Sequence, residues 1–122
     1  MKHLPTLRRR REFLVVAEKG RKWAAPGLVL QIGAAGEQKE MAAIRYGLTA
    51  TRKIGNAVKR NRARRRLRAL ACEILPLHAA PGRDYVLVAR DATATRAYAD
   101  LRRDLEAALR KLGAWRDCND RI

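Results

Sequence analysis

The spacing of apolar residues predicts a short helix near the N-terminus. Phe13, Val16 and Ala17 recur at helical spacing within residues 9–19. Gly20 follows at the position where a helix C-terminus favours a residue able to adopt positive φ. This segment is therefore predicted to form the first helix.

Alternating positions predict two strands in the next part of the chain. Every second residue of 28–32 is a large aliphatic one, the period of two expected of a strand with one face toward a core. Residues 43–51 alternate again, with Tyr46 and Leu48 on one face. Because a short polar loop normally joins antiparallel neighbours, these two strands are predicted to pair with each other. A further short strand has room in residues 20–27 or in the loop between the two strands.

A long helix is predicted to begin after the Gly55-Asn56 break and to end before Pro76. Asn56 is the expected N-cap, because its side-chain oxygen can accept from the free amides of the first turn. At about 100° per residue, one stripe of this helix is apolar and consists of Ala63, Leu67, Leu70, Ala71 and Ile74. The opposite arc is almost purely cationic and consists of Asn61, Arg62, Arg64, Arg65, Arg66 and Arg68.

The C-terminal part is predicted to contain one more strand and one more helix. Residues 84–90, DYVLVAR, have the apolar density of a central strand. The last helical stripe, which Gly113 ends, consists of Tyr98, Leu101, Leu105, Ala108, Leu109 and Leu112. The acidic residues Asp100, Asp104 and Glu106 are assigned to the polar face of this helix. The predicted order is α-β-β-α-β-α.

Composition adds a strong positive charge to this pattern. The 122 residues include 28 Lys and Arg against 12 Asp and Glu, a net charge of +16. A chain of this length buries about two-thirds of the surface that its unfolded form exposes, enough for one core and one domain. No apolar run approaches the roughly 18 residues that span a bilayer, and the N-terminus lacks a secretory signal. We therefore expect a cytoplasmic protein with no membrane contact.

Metal sites and disulfides have little support in the sequence. Cys72 and Cys118 lie far apart and are expected as reduced thiols. His3 and His78 stand alone, without the spacing of metal ligands, and His78 is predicted in a loop beside Pro76. A nuclease acting by itself would need clustered carboxylates for a two-metal site, whereas the acids here are scattered.

The densest positive charge lies in residues 45–68, which contain no acidic residue. Arginines at this density repel one another and lose hydration when buried, so a fold keeps them where a polyanion supplies the opposite charge. Without acids one turn away, they also gain no i,i+4 pairing within the helix. This segment predicts a nucleic-acid partner.

Residues 52–62 of this segment read RKIGNAVKRNR. The run resembles the signature of the protein subunit of bacterial ribonuclease P, whose hallmark is a Gly-Asn-Ala-Val-x-Arg-Asn-Arg stretch that opens an arginine-rich helix. The flanks are similar too, with Phe13 on the first helix, Gly20 at the expected distance and DYVLVAR in place of the family's last strand. The resemblance covers about residues 4–113 and leaves 114–122 as a tail.

The resemblance implies a fold and a function. The fold is a single α+β domain, an α-β-β-β-α-β-α sandwich whose four-stranded sheet has a left-handed β-α-β crossover, as in ribosomal protein S5 domain 2. The family's protein assembles with a catalytic RNA, binds the 5′ leader of precursor tRNA and assists its Mg²⁺-dependent endonucleolytic removal. Because the RNA and its bound Mg²⁺ carry out hydrolysis, no catalytic residue and no metal site are expected in the protein.

Two sets of binding residues follow from this reading. The predicted RNA-binding side chains belong to the basic motif and the helix that it opens: Arg52, Lys53, Asn56, Lys59, Arg60, Asn61, Arg62, Arg64, Arg65 and Arg68. For the leader, the resemblance implies a cleft between the first helix and the sheet, lined here by Phe13, Ala17, Val29, Gln31 and Thr49. Ala17 stands where many relatives carry a second aromatic residue, and Gln31 where some carry tyrosine. From the sequence alone, Phe13 is either a stacking platform or a core residue.

Two other kinds of nucleic-acid-binding protein fit part of the pattern. A ribosomal or other structural RNA-binding protein would share the size and charge but would have no reason to carry the full motif. A DNA-binding regulator would need a helix-turn-helix partner where the sequence predicts strands, so no DNA partner is expected.

Overall fold

The computed structural model describes residues 6–7, 9–34 and 44–116. The helices and strands follow the order implied by the family resemblance, and the extra short strand falls within residues 20–27. The elements are α1 (Arg10–Lys19), β1 (Arg21–Ala24), β2 (Leu28–Ala34), β3 (Ile44–Thr49), α2 (Ala57–His78), β4 (Arg83–Ala89) and α3 (Tyr98–Lys111), with 3₁₀ turns at Arg52–Ile54 and Asp91–Ala94.

The four strands form one mixed sheet in the order β1-β2-β4-β3. β4 pairs antiparallel with β2 and parallel with β3, so the predicted direct pairing of β2 with β3 is wrong. The reason lies in β4 itself, because Tyr85, Val86 and Leu87 are all at most 1% exposed. A strand that is apolar on both faces is covered best at the centre of a sheet.

The β3-α2-β4 connection is a left-handed crossover. Tyr46 in β3 turns its ring toward α2, where its hydroxyl lies 3.8 Å from Cys72 Sγ. Its carbonyl accepts from the Leu7 amide, 2.8 Å away, on the outer edge of β3. The Tyr46 side chain thus points toward α2 while its carbonyl points away from β4. In an L-residue these two directions fix the side on which β4 lies: viewed with α2 in front and β3 running upward, β4 is on the left. The chain therefore passes from β3 through α2 to a strand on its left, which is a left-handed crossover and departs from the general preference for right-handed ones.

The main core lies between one face of the sheet and the helices α2 and α3. All five residues of the predicted α2 stripe are buried, and so are all residues of the predicted α3 stripe except the half-buried Tyr98. The opposite face of the sheet carries a smaller cluster, in which Val16 from α1 packs with Leu7 and Val86. The two sheet faces are thus covered unequally.

The C-terminal end of α2 differs from its prediction. The helix continues through Pro76 to His78, so His78 is not a loop residue. A proline in the last turn removes only one backbone hydrogen bond, and the His78 ring stacks on Trp115 with a centroid separation of 4.1 Å. Ala114 is fully buried, and the Arg116 amide donates to the His78 carbonyl. Residues 114–116 therefore pack against the C-terminal end of α2 rather than forming a tail, and the rest of the predicted tail lies outside the described residues.

Asp104 also differs from its prediction, because it is buried rather than on the polar face of α3. It is 6% exposed and accepts from the Gly27 amide at 2.9 Å and from Arg96 Nε at 2.8 Å. A Cβ at position 27 would lie 2.5 Å from Asp104 Oδ2, so this approach requires glycine. The carboxylate ties the turn between β1 and β2 to α3.

We expect Asp104→Ala to lower the free energy of unfolding by about 2–4 kcal/mol, since it leaves the Gly27 amide and the Arg96 guanidinium without their acceptor. The matched control is Asp100→Ala in the same helix, whose exposed pair with Arg103 is 3.7 Å long. That change should cost about 0.5 kcal/mol or less. Urea denaturation measures both, and equal losses would contradict a special role for Asp104.

Candidate nucleic-acid interface

The start of α2 is built by the Gly55-Asn56 break. Gly55 has φ +144°, a conformation that residues with a side chain rarely adopt. Asn56 is the N-cap, as predicted, and its side-chain oxygen accepts from the Lys59 amide at 3.0 Å. Arg52 and Lys53 are exposed just before this turn. Positive side chains therefore stand beside the partial positive charge of the helix N-terminus, a favourable place for an anion.

The cationic arc of α2 faces solvent over several turns. Its exposed members are Asn61, Arg62, Arg64, Arg65 and Arg68. Within the part of the chain that the structure describes, none of these arginines forms an ion pair with an acidic residue. Their positive charges are therefore uncompensated by the described acidic residues and available to an external polyanion.

Two arginines of the helix differ from this exposed set. Arg66 is half-buried and donates to the carbonyls of Thr93 and Arg96, so it braces the turn before α3. Its assignment to the exposed cationic arc is therefore wrong. Arg60 is also half-buried, and its buried Nε has no hydrogen-bond partner among the described residues. Its place near the apolar side of α2 explains this burial.

The second sheet face is covered only in part by α1. Gly33, Asp84 and Arg45 are aligned in register across three strands. α1 lies over this row, with Val16 against Gly33 and Glu12 paired with Arg45.

A parallel row on the same face is left less covered. Val29 and Thr49 are both in register with Val88, and all three side chains are half-buried. Gln31 lies between the two rows, beside Val86. The surface between α1 and this second row corresponds to the predicted leader cleft, and we call it the α1 cleft. Ala17 is exposed on α1, one turn after Phe13.

Phe13 stands at the wall of the α1 cleft. Its ring edge contacts β3 so closely that a Cβ on Gly47 would lie 2.4 Å from Phe13 Cε1. The ring is only half-buried, and it also lines an open recess of about 290 Å³ together with Leu48 and Arg64. Phe13 therefore packs against the sheet with one edge and presents another part of its ring to the recess.

Arg64 connects the α1 cleft with the cationic face of α2. It lines the recess beside Phe13 and also a second recess that includes Arg10 and Thr49. Val88 and Arg10 were absent from the predicted site residues. Val88 was missed because DYVLVAR is apolar at nearly every position, which hides the face of each side chain. The β-strand register supplies that information.

The described residues offer binding groups but no acid cluster for chemistry. No group of three or more His, Cys, Asp or Glu side chains among them could hold a metal ion. Cys72 is a free thiol, and Cys118 lies outside the described residues. None of the described helices is long and apolar enough to cross a membrane. The chemical character of the surface is therefore that of a polyanion-binding site with an aromatic wall.

Comparison with known proteins identifies the same family by a family model and by individual relatives. The family model described as Ribonuclease P matches residues 1–113. A ribonuclease P protein component from Paramagnetospirillum magneticum is 48% identical over 112 residues, which cover 91% of this chain and 84% of that protein. One from Gluconacetobacter diazotrophicus is 49% identical over 107 residues, which cover 88% of this chain and 90% of that protein.

Solved structures show the same fold. The RNase P protein from Staphylococcus aureus gives a TM-score of 0.75 at 20% identity, covering 93% of this chain and all of that one (100%). The RNase P protein from Thermotoga maritima gives a TM-score of 0.69 at 25% identity, covering 88% and 94% of the two chains. The arrangement of sheet and helices is thus shared across large sequence differences.

We expect Arg62→Ala and Arg65→Ala each to lower the slope of log affinity against log salt by about one unit for a large structured RNA, because each removes one phosphate contact. Arg66→Ala is the matched control, since it makes the same charge change in the same helix. It should lower stability but leave the slope unchanged, because Arg66 is bound to backbone carbonyls. Identical slopes for the wild type and all three variants would contradict RNA binding by this face.

Proposed function

The chain belongs to the ribonuclease P protein family, and we propose that it divides two RNA-binding tasks between the surfaces described above. As the protein component of an endoribonuclease, it acts in tRNA 5′ processing together with an RNA subunit. The exposed cationic face of α2 binds the catalytic RNA. The α1 cleft holds the single-stranded 5′ leader of precursor tRNA.

The cationic face of α2 suits a folded RNA because of both its chemistry and its spacing. A guanidinium is a planar fork that forms two hydrogen bonds to a phosphate, which a lysine ammonium does less well. Arg62, Arg65 and Arg68 are exposed at successive turns, so their side chains can follow a phosphate backbone. The capped N-terminus beside Arg52 and Lys53 offers a further phosphate site.

The α1 cleft suits a single strand of any sequence. Such surfaces combine aromatic or apolar platforms for bases with positive charge along the backbone. The observation that carries the proposal is that Phe13 and Arg64 together line two neighbouring recesses, one of which also includes Thr49 of the less covered row. The family resemblance implies aromatic residues at the positions that Ala17 and Gln31 occupy here, so we propose that leader affinity in this protein relies more on charge.

We propose that the RNA partner carries out the hydrolysis. No group of three or more His, Cys, Asp or Glu side chains among the described residues could hold a metal ion, and Asp84, Asp104 and Glu73 are each engaged by an arginine. We therefore propose that Mg²⁺ is bound mainly by the RNA partner and the substrate. The chain itself contributes binding and orientation, and we propose that it does so in the cytoplasm.

The direct test adds the purified chain to a bacterial ribonuclease P RNA and precursor tRNA at low Mg²⁺. We expect 5′ cleavage when both components are present and almost none with either alone, because the protein supplies binding energy that otherwise needs more Mg²⁺. Gel analysis of the released leader measures the cleavage. Robust cleavage by the RNA-free protein would overturn the assignment.

Phe13→Ala should weaken binding of precursor tRNA by about 1–3 kcal/mol and leave binding of mature tRNA nearly unchanged, because only the precursor has a leader to stack on the ring. Val15→Ala is the control, since Val15 is an apolar residue of the same helix that is 46% exposed on its outer side. Dissociation constants of the assembled holoenzyme for both tRNAs provide the measurement. An equal loss for the two tRNAs, together with a sharp fall in melting temperature, would instead mark Phe13 as a core residue.

A further inference from the structure

Arg45 opens the basic segment, yet its surroundings differ from those of the exposed arginines. We infer that Arg45 is a positioning residue, which joins Glu12 of α1 to Asp84 of β4 and thereby holds Phe13 at the wall of the α1 cleft. We call these three residues the α1 clasp. The inference rests on the proposed role of the cleft and adds a residue that sets its geometry.

The contacts of Arg45 use its guanidinium on two sides. Its Nε and Nη2 donate to Asp84 Oδ1 and Oδ2, each at 3.0 Å, and its Nη1 lies 2.7 Å from Glu12 Oε2. Asp84 is 3% exposed, so the bidentate pair lies largely out of water. The hydrogen bonds to Asp84, with a smaller contribution from Glu12, raise the pKa of Arg45 above its ordinary value. Little of this guanidinium is left for a phosphate.

An attachment by charged groups matters for the position of α1 because the helix is short and buries little apolar surface. It contains 10 residues, and an isolated helix of this length is marginal in water. Val16 is its one buried residue, whereas Leu14 and Val15 are exposed. Glu12 also accepts from the Arg9 amide at 3.0 Å and so fixes the first turn. The ion pair with Arg45 therefore holds the half of the helix that Val16 does not reach.

The clasp and the wall of the cleft are adjacent on both elements. Glu12 precedes Phe13 on α1, and Arg45 is two residues from Gly47 on the same face of β3, a separation of about 7 Å. The clasp and the Phe13–Gly47 contact therefore fix neighbouring points of the same helix on the same strand. Loosening the clasp changes the distance between the Phe13 ring and the less covered row at Val88.

The decisive variant is Glu12→Gln, with Glu18→Gln as its matched control. Both remove one negative charge from α1, but Glu18 is exposed and has no ion pair within the described residues. Simple electrostatics predicts equal or tighter binding of every RNA by both variants, since the protein becomes more positive. The clasp predicts weaker binding of the leader for Glu12→Gln alone. The two explanations therefore differ in sign.

The measurement compares precursor and mature tRNA on the holoenzyme assembled with a bacterial ribonuclease P RNA. We expect Glu12→Gln to reduce the preference for precursor over mature tRNA by roughly three- to tenfold, a change within about 1.4 kcal/mol. Affinity for mature tRNA, and the salt slope for the catalytic RNA, should stay as in the wild type. A general loss of folding would move all three quantities, so this pattern separates positioning from stability.

A second variant tests Arg45 without removing its charge. Arg45→Lys cannot bind both carboxylates in the fork geometry, so the clasp predicts the same loss of leader preference. If Glu12→Gln and Glu18→Gln behave alike, or Arg45→Lys retains full leader preference, the inference is overturned. The Phe13→Ala result separates failure of this inference from failure of the proposed function. If Phe13→Ala weakens leader binding and Glu12→Gln does not, only the clasp is overturned. If Phe13→Ala has no effect on leader binding, the proposed leader cleft is overturned as well.

Discussion

The rest of the structure depends on the burial of β4 on both of its faces. Its alternate residues serve two different surfaces, with Tyr85 and Leu87 in the main core and Val86 beneath α1. Because both faces must be covered, β4 takes a central place and separates β2 from β3. This position brings the strands that border the α1 cleft into register. The binding surface is therefore a consequence of how one apolar strand is covered.

Periodicity predicted the helices and most strands because each has a strong pattern of its own. The stripe on α2 and the Asn56 cap are local features, and both are confirmed. The strand order failed because a local loop signal cannot reveal a strand that arrives later in the chain and inserts between two others. The position of Val88 in the cleft stayed hidden for the same reason, since it depends on pairing between distant strands.

Charge density alone also could not separate the roles of the arginines. Arg45, Arg66 and Arg96 have partners that come from distant parts of the sequence, whereas Arg62 and Arg65 have none within the described residues. Absence of nearby acids in the sequence is therefore a poor guide to pairing in the fold. The family motif identified the family correctly, while the structure gives the individual arginines of the segment different partners.

The connection of β3 to β4 through α2 has a thermodynamic consequence. α2 is both the link that joins β3 to β4 and the carrier of the exposed arginines, so one element serves the sheet and the proposed RNA-binding face. With a net charge of +16, the free protein works against its own repulsion when it folds. RNA that binds only the folded form both relieves that repulsion and adds its binding free energy to the stability of the fold. A higher concentration of such an RNA partner therefore lowers the population of the unfolded chain that proteases attack.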